Sequence, residues 1–288
     1  MSERTAPRLL LPFPPGCRVT RLVRREKRFT AITTDGATGE EVRAHTNNTG
    51  SMLGLLRPGT LALLSPAANP SRTLKWTLEA LALPGTPLID SALALPGKPG
   101  SDELSQWVGV NTLTPNRLLE AAWKAGLLPE ARAYAHFARE ATTGESRLDA
   151  LLTGEESDTG QKPDAGDTPG TGRPLPPLYV ECKNVTLVED DQAQFPDAAT
   201  ERGRKHLAEL TRLVQEGARA ALFFLVQRPD GGCFAPAEAI DPDYAEALAR
   251  ALGAGVELWA WRAAITPQGI HLAERLGLAP SWASRHGL

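Results

Sequence analysis

Cysteine is scarce in this 288-residue chain: Cys17, Cys182 and Cys233 are odd in number, far apart and never arranged as CxxC. That argues against a disulfide framework and a structural zinc site. The five histidines form no HxxxH or HExxH pattern, so a zinc hydrolase is unsupported. No apolar run approaches the ~20 residues needed to span a bilayer. The opening MSERTAPRLLLPFPPG lacks the long apolar segment and small-residue cleavage site of a secretory signal. A cytoplasmic protein without a membrane partner is expected, nucleoid-associated if it binds DNA. Excess charge is missing too: the net charge is -3, so any nucleic-acid case must rest on local charge. No internal repeat is evident.

What is present is an ordinary globular balance, 42% hydrophobic and 23% charged, in a length that suits two domains. The first ninety residues read as short strands: 18–32, 41–46, 60–65 after the Arg57-Pro58-Gly59 turn, and 74–83. Such spacing predicts a small β-barrel or sandwich, with an OB-like barrel as one form. Residues 84–106 turn rich in Pro, Gly and Ser and read as an interdomain connection, giving domains at 1–90 and 91–288.

From Trp107 the character changes. Thr114 and Pro115 read as the cap and first residue of a helix that Gly126 ends, with Leu118, Leu119, Ala122 and Trp123 as its buried stripe. Strands follow at 136–142 and 145–152 around a turn at Gly144, then at 178–185. A helix over 200–216 precedes the apolar strand 220–226, whose composition suits a strand covered on both faces. Asp241-Pro242 opens a last helix, and 256–261 is a final strand. The order α-β-β-β-α-β predicts a mixed α/β sheet flanked by helices. Residues 153–177, with five Gly, five Pro, five acids and no aromatic, read as a mobile insertion belonging to neither core.

The chemistry centres on Glu181-Cys182-Lys183. Period two puts Glu181 and Lys183 on one strand face, and pairing of 145–152 with 178–185 lets Asp149 stand beside Glu181. Two carboxylates can hold Mg²⁺ or Mn²⁺ with a phosphate oxygen, the backbone carbonyl of Cys182 can add a ligand, and Lys183 can orient water or balance charge. The acid-x-Lys spacing carries no weight by itself, since 34 acids supply it by chance. A solvated pair on an edge strand is the structural alternative, and the α-β-β context favours the functional one. Pro196-Asp197 follows the strand rather than preceding it, so Asp197 reads as a helix cap.

Outside that centre, Glu120 on the first helix is a candidate extra metal ligand or a plain surface glutamate. Arg202 and Lys205 open the second helix, where backbone N–H groups favour phosphate. Arg18, Arg21, Arg24, Arg25, Lys27 and Arg28 put six cations within eleven residues against the single acid Glu26. With Phe29 behind them, Arg21, Arg24, Arg25 and Arg28 suit a groove tracking a nucleic-acid backbone. The 47–52 segment is a polar turn suited to lining an interdomain cleft. Trp259 and Trp261 read as packing residues.

Five ordered blocks carry a family resemblance: Asn48-Thr49-Gly50-Ser51-Met52, Val108-Gly109-Val110-Asn111-Thr112, Ser146-Arg147-Leu148-Asp149, Val180-Glu181-Cys182-Lys183-Asn184, and Phe195-Pro196-Asp197-Ala198 through Thr200-Glu201-Arg202-Gly203. Together they resemble the sugar fermentation stimulation protein A family over about residues 18–262. The resemblance implies an N-terminal OB-like barrel followed by a PD-(D/E)xK nuclease-like mixed sheet flanked by helices. It carries the nuclease acids onto Asp149 and Glu181 and the lysine onto Lys183. It implies DNA, single- or double-stranded, as partner, and is compatible with a homodimer. Cys182, where an aliphatic residue is usual, and the 153–177 insertion depart from the pattern without removing a catalytic group. The expected function is a DNA-binding, Mg²⁺- or Mn²⁺-dependent nuclease. The alternative is a non-catalytic DNA-binding regulator of sugar metabolism genes with a vestigial site, and nothing in the residues separates DNA from RNA.

Overall fold

The computed structural model describes residues 7–83, 106–144, 146–155 and 173–288. Six strands build the first sheet: β2 (Arg18–Glu26), β3 (Thr30–Thr34), β4 (Glu41–His45), β5 (Leu61–Pro66), β6 (Trp76–Ala82) and β7 (Trp107–Gly109). Their order is β4-β3-β2-β5-β6-β7, and a parallel β4–β6 pairing closes it into a barrel. The expected run 18–32 is a hairpin: Lys27 and Arg28 both take positive φ in the three-residue turn 27–29, and β2 folds back on β3. Leu22, Ala31, Val42, Ala62, Leu64 and Leu78 fill the barrel interior.

The expected interdomain connection at 84–106 is corrected by its ends. Leu83 N–H donates to the Gln106 carbonyl at 2.7 Å, and β7 pairs antiparallel with β6 from Ala82↔Trp107 to Ala80↔Gly109. Both ends of the segment belong to the barrel; residues 84–105 lie outside the described part. A three-residue strand is too short to show a period, which hid β7 from the sequence reading.

A seven-stranded mixed sheet follows, ordered β1-β16-β15-β13-β10-β9-β8. Its strands are β1 (Arg8–Pro12), β8 (His136–Thr143), β9 (Ser146–Thr153), β10 (Leu178–Val185), β13 (Arg219–Val226), β15 (Glu257–Thr266) and β16 (Gly269–Leu276). Helix α1 (Thr114–Lys124) covers one face with Leu118, Leu119 and Ala122 in the core of Val180 and Phe223. Helices α2 (Glu201–Gln215) and α3 (Pro242–Gly253) cover the other with Leu207, Leu210 and Leu248 against Leu222 and Phe224. The apolar run of β13 thus has a core on each side. A small sheet of β11 (Leu187–Glu189), β12 (Gln192–Phe195) and β14 (Cys233–Pro236) and a short helix α4 (Pro280–His286) complete the described chain. Trp259 and Trp261 pack in the core beneath α1. Strand membership crosses residue 90 twice, since β1 belongs to the large sheet and β7 to the barrel.

Two expected caps are replaced. Thr114 is inside α1, and Asn111 Oδ1 accepts the N–H of Leu113, the residue at the cap position, at 3.0 Å. Asp197 does not cap α2; Thr200 does, its hydroxyl accepting Gly203 N–H at 3.0 Å. The insertion also differs at its ends: Leu175 N–H donates to the Gly154 carbonyl at 2.9 Å and Leu175 packs on the core, while 156–172 lie outside the described residues.

The barrel and the large sheet meet at Gly109. Its N–H donates to the Gln227 carbonyl at 2.9 Å, and a Cβ there would stand 2.1 Å from Gln227 Oε1. Only glycine permits that approach. Among the described residues, no helix is long and apolar enough to cross a membrane.

Candidate active site

The site forms where two strands part. β9 and β10 pair only from Leu152↔Leu178 to Ala150↔Val180, so the ladder stops just before Asp149 and Glu181. On the other side of β9 the Glu140/Asp149 pair is missing from the register, and Glu140 takes positive φ. The carboxylate of Asp149 takes the place of a backbone partner: Oδ2 accepts the Cys182 N–H at 2.8 Å. Its Oδ1 accepts from Asn116 Nδ2, on α1, at 2.5 Å. The carbonyl of Cys182 points to the same side as its N–H, as in any strand, and so into the gap. The Cys182 side chain packs as a small hydrophobe in the core beneath α1.

Glu181 and Lys183 share a face of β10, as period two requires, and that face looks toward α2. Lys183 Nζ lies 2.6 Å from Glu181 Oε1, and His206 Nδ1 on α2 bonds the same oxygen. Lys183 Nζ is 3.4 Å from His206 Nδ1, and Arg202 Nε donates toward His206 Nε2 at 3.4 Å. Glu181 is only 4% exposed, and its second oxygen, Oε2, is buried without a partner among the described residues.

Electrostatics separate the two acids. Burial raises the Asp149 carboxyl above its ordinary range and the charge of Glu181 raises it further, against the bonds from Cys182 and Asn116. Burial also pushes Glu181 up, but its bond to His206 and the charge of Lys183 outweigh that and hold it low. Two neighbouring carboxylates, one disfavoured as an anion by burial and like charge and one with an orphaned oxygen, fit a divalent cation, which takes one or two carboxylates and otherwise water and phosphate oxygens. Among the described residues no three His, Cys, Asp or Glu side chains converge with metal-ligand spacing. The fit therefore rests on two carboxylates and the Cys182 carbonyl.

Glu120 does not join them. Its carboxylate is held by Lys124 at 2.7 Å and by Arg139 Nε at 2.6 Å. One turn earlier on α1, Asn116 makes the link to Asp149 instead. The basic residues also sort. Arg24 is taken up by Glu26, at 2.6 Å, and Lys205 pairs with Glu201 at 2.8 Å on an exposed helix face. Arg25 Nη1 donates to the Gly50 carbonyl at 2.8 Å, while burial and then the charge of Arg28 lower its pKa. Arg21 lies on β2 opposite Thr34, and Arg28 on the hairpin turn. Arg202 reaches the site through His206 rather than standing free.

Three contributors escaped the sequence reading. His206 is a lone histidine on the apolar stripe of α2, a buried polar residue beside Leu207 and Leu210. Asn116 shows no motif, and only the helical phase relative to Glu120 points to it. Asp197, read as a cap, accepts from Ser51 Oγ at 3.2 Å and so ties the segment before α2 to the 47–52 turn of the barrel.

The chain matches the family model "SfsA N-terminal OB domain" over residues 23–89 and the model "Sugar fermentation stimulation protein RE domain" over 113–269. It is 49% identical over 270 residues to a "Sugar fermentation stimulation protein homolog" of Maridesulfovibrio salexigens, covering 94% of this chain and 97% of the relative. A namesake from Syntrophobacter fumaroxidans is 48% identical over 267 residues, covering 93% and 87%. A solved structure described as Pyrococcus furiosus SfsA in complex with Ca²⁺ has a TM-score of 0.73 to this fold at 26% identity, covering 94% of this chain and 99% of that one.

Proposed function

The chain belongs to the sugar fermentation stimulation protein family, and from that premise and the geometry of the parted strands we propose that it is a DNA-binding nuclease hydrolysing phosphodiester bonds with Mg²⁺ or Mn²⁺. The observation that carries the reading is the buried, unpartnered Oε2 of Glu181 next to a carboxyl that burial and like charge disfavour as an anion. A protein with no use for that pair has no reason to bury it. The Pyrococcus furiosus relative, solved with Ca²⁺, is consistent with a divalent ion in this family.

Asp149, Glu181 and the Cys182 carbonyl would hold the cation, which supplies phosphate charge neutralisation and acidified water. The chain's own groups do the rest. Asn116 and the Cys182 N–H fix both oxygens of Asp149, so its orientation needs no reorganisation. His206 and Lys183 fix Glu181 through Oε1 and leave Oε2 unpartnered. An ammonium carries three donors, and the bond to Glu181 uses one. The other two can orient water or meet charge growing on the phosphate.

A second reading has one observation in its favour: Lys183 and His206 together satisfy one oxygen of Glu181, as in a purely structural site. Purified protein incubated with single- and double-stranded oligonucleotides in Mg²⁺, Mn²⁺ or EDTA separates the two. Cleavage is expected only with metal, is abolished by Glu181→Ala, and falls about 10²–10³-fold in Lys183→Ala. If the wild type cuts nothing, or the Asp149, Glu181 and Lys183 triple variant cuts as well, the non-catalytic DNA-binding regulator stands instead.

A further inference from the structure

Among the described residues six large apolar side chains are exposed, and three of them lie on segments joined to or continuing the 46–50 turn. Phe29 is 51% exposed, Leu53 60% and Leu113 60%. Each is within a few residues of a bond made by the polar 46–50 turn. The Phe29 carbonyl accepts Thr46 N–H at 2.9 Å. Asn47 Oδ1 accepts Thr112 N–H at 3.1 Å, next to Leu113. Leu53 follows Gly50, whose carbonyl holds Arg25. The rim therefore joins barrel to sheet, with Arg25 and Arg28 alongside.

Leu113 also leads into the site. It is the cap residue of α1, three positions before Asn116, which holds Asp149. Exposed apolar groups on segments that also carry cations call for a ligand that is both apolar and anionic. A closed duplex offers phosphates and hides its base faces. An unpaired strand offers both.

We propose that Phe29, Leu53 and Leu113 form a subsite for unpaired nucleobases, with Arg25 and Arg28 on the phosphates, so that the strand delivered to Asp149 and Glu181 is single or frayed rather than closed duplex. Phe29 supplies the stacking ring, and the two leucines cover base edges. Delivery for cleavage rests on the nuclease reading; the binding subsite does not.

The test is fluorescence anisotropy in EDTA with an oligonucleotide of about a dozen nucleotides, in the range an OB domain covers, presented as a single strand, as a blunt duplex and as a duplex with an overhang. The wild type is expected to bind single strand and overhang at least about tenfold tighter than blunt duplex. Phe29→Ala with Leu113→Ala should lose about five- to a hundredfold on both, the span of one stacked base, with blunt-duplex affinity unchanged. Both side chains are exposed, so the melting temperature should hold. Phe29→Tyr should keep the affinity, and Phe29→Leu should lose it, because a leucine keeps apolar area but no ring. The proposal is overturned if the double variant binds single strand as the wild type does, or if the wild type prefers blunt duplex or binds no DNA. A protein that binds single strand through Phe29 yet never cuts sinks only the nuclease reading. One that cuts closed duplex and ignores Phe29 sinks only the subsite.

Discussion

Replacing Asp149 with asparagine should stabilise the metal-free protein at neutral pH while destroying its proposed activity. A carboxyl whose pKa is raised on folding favours the native state at low pH, and that favour is lost as pH climbs through the raised value. Above it, the folded protein must hold a buried anion beside Glu181, and an amide removes that cost. Against the gain stands the exchange of two charge-assisted bonds, from Cys182 N–H and Asn116, for neutral ones. Both bonds can survive if Asn116 turns its amide to present oxygen, so the loss is the difference in bond strength, about 1 kcal/mol in all. Relief of like charge and desolvation at a partly buried site contributes about 2 kcal/mol. The net gain of about 1 kcal/mol corresponds to a rise of about 2–4 °C. Thermal denaturation in EDTA between about pH 5 and 8 reads it out, and the gain should shrink as the solution is acidified, because the wild-type carboxyl then protonates. Mn²⁺ should reverse the ranking, since only the wild type gains from tight binding, about 2.7 kcal/mol at a hundred times the dissociation constant. A variant less stable at neutral pH without metal, or a gain that grows on acidification, would refute the reasoning.

Two further outcomes follow from the same geometry. Arg25→Gln should weaken DNA binding and flatten its salt dependence by about one unit of slope, whereas Arg24→Gln, already paired with Glu26, should change both far less; equal effects would return the run to an undifferentiated charged face. Gly109→Ala forces a Cβ against Gln227 and Ile265 where barrel meets sheet, and should cost about 1–3 kcal/mol in chemical denaturation; an unchanged midpoint would show that the junction yields freely.

The strand that carries Glu181 and Lys183 was legible because a regular alternation on a continuous run fixes which side chains share a face. Asp149 was legible as an acid inside an apolar stretch. What brings them into chemistry was not: the parting of β9 and β10 depends on the distortion opposite Glu140 and on the Cys182 amide choosing a side chain over a strand, both tertiary events. Glu120 drew attention because acids bind cations, yet helical phase gives the contact to Asn116. The basic run looked uniform, although period two on β2 already sets Glu26 beside Arg24 and leaves Arg25 on the opposite face. His206 carried no pattern, since a single histidine on an apolar stripe resembles an ordinary core residue. Strand β16, with charges at Glu274 and Arg275, shows too mixed a composition to stand out before its partners are known.

The pairing of β1 with β16 has a consequence for how the chain assembles. Leu9 lies opposite His271, so a contact at one border of the large sheet joins residues 262 positions apart. During synthesis the barrel and the strands around the carboxylates can all emerge while that first strand still waits for its partner. Long-range closures of this kind are slow, because the entropy of the intervening loop is lost before any contact repays it. Until it happens the backbone groups of β16 on that side are a template for any extended segment nearby. A bulky fusion placed close ahead of Arg8 would prolong that interval, and the yield of soluble protein would register the delay before any assay of the site did.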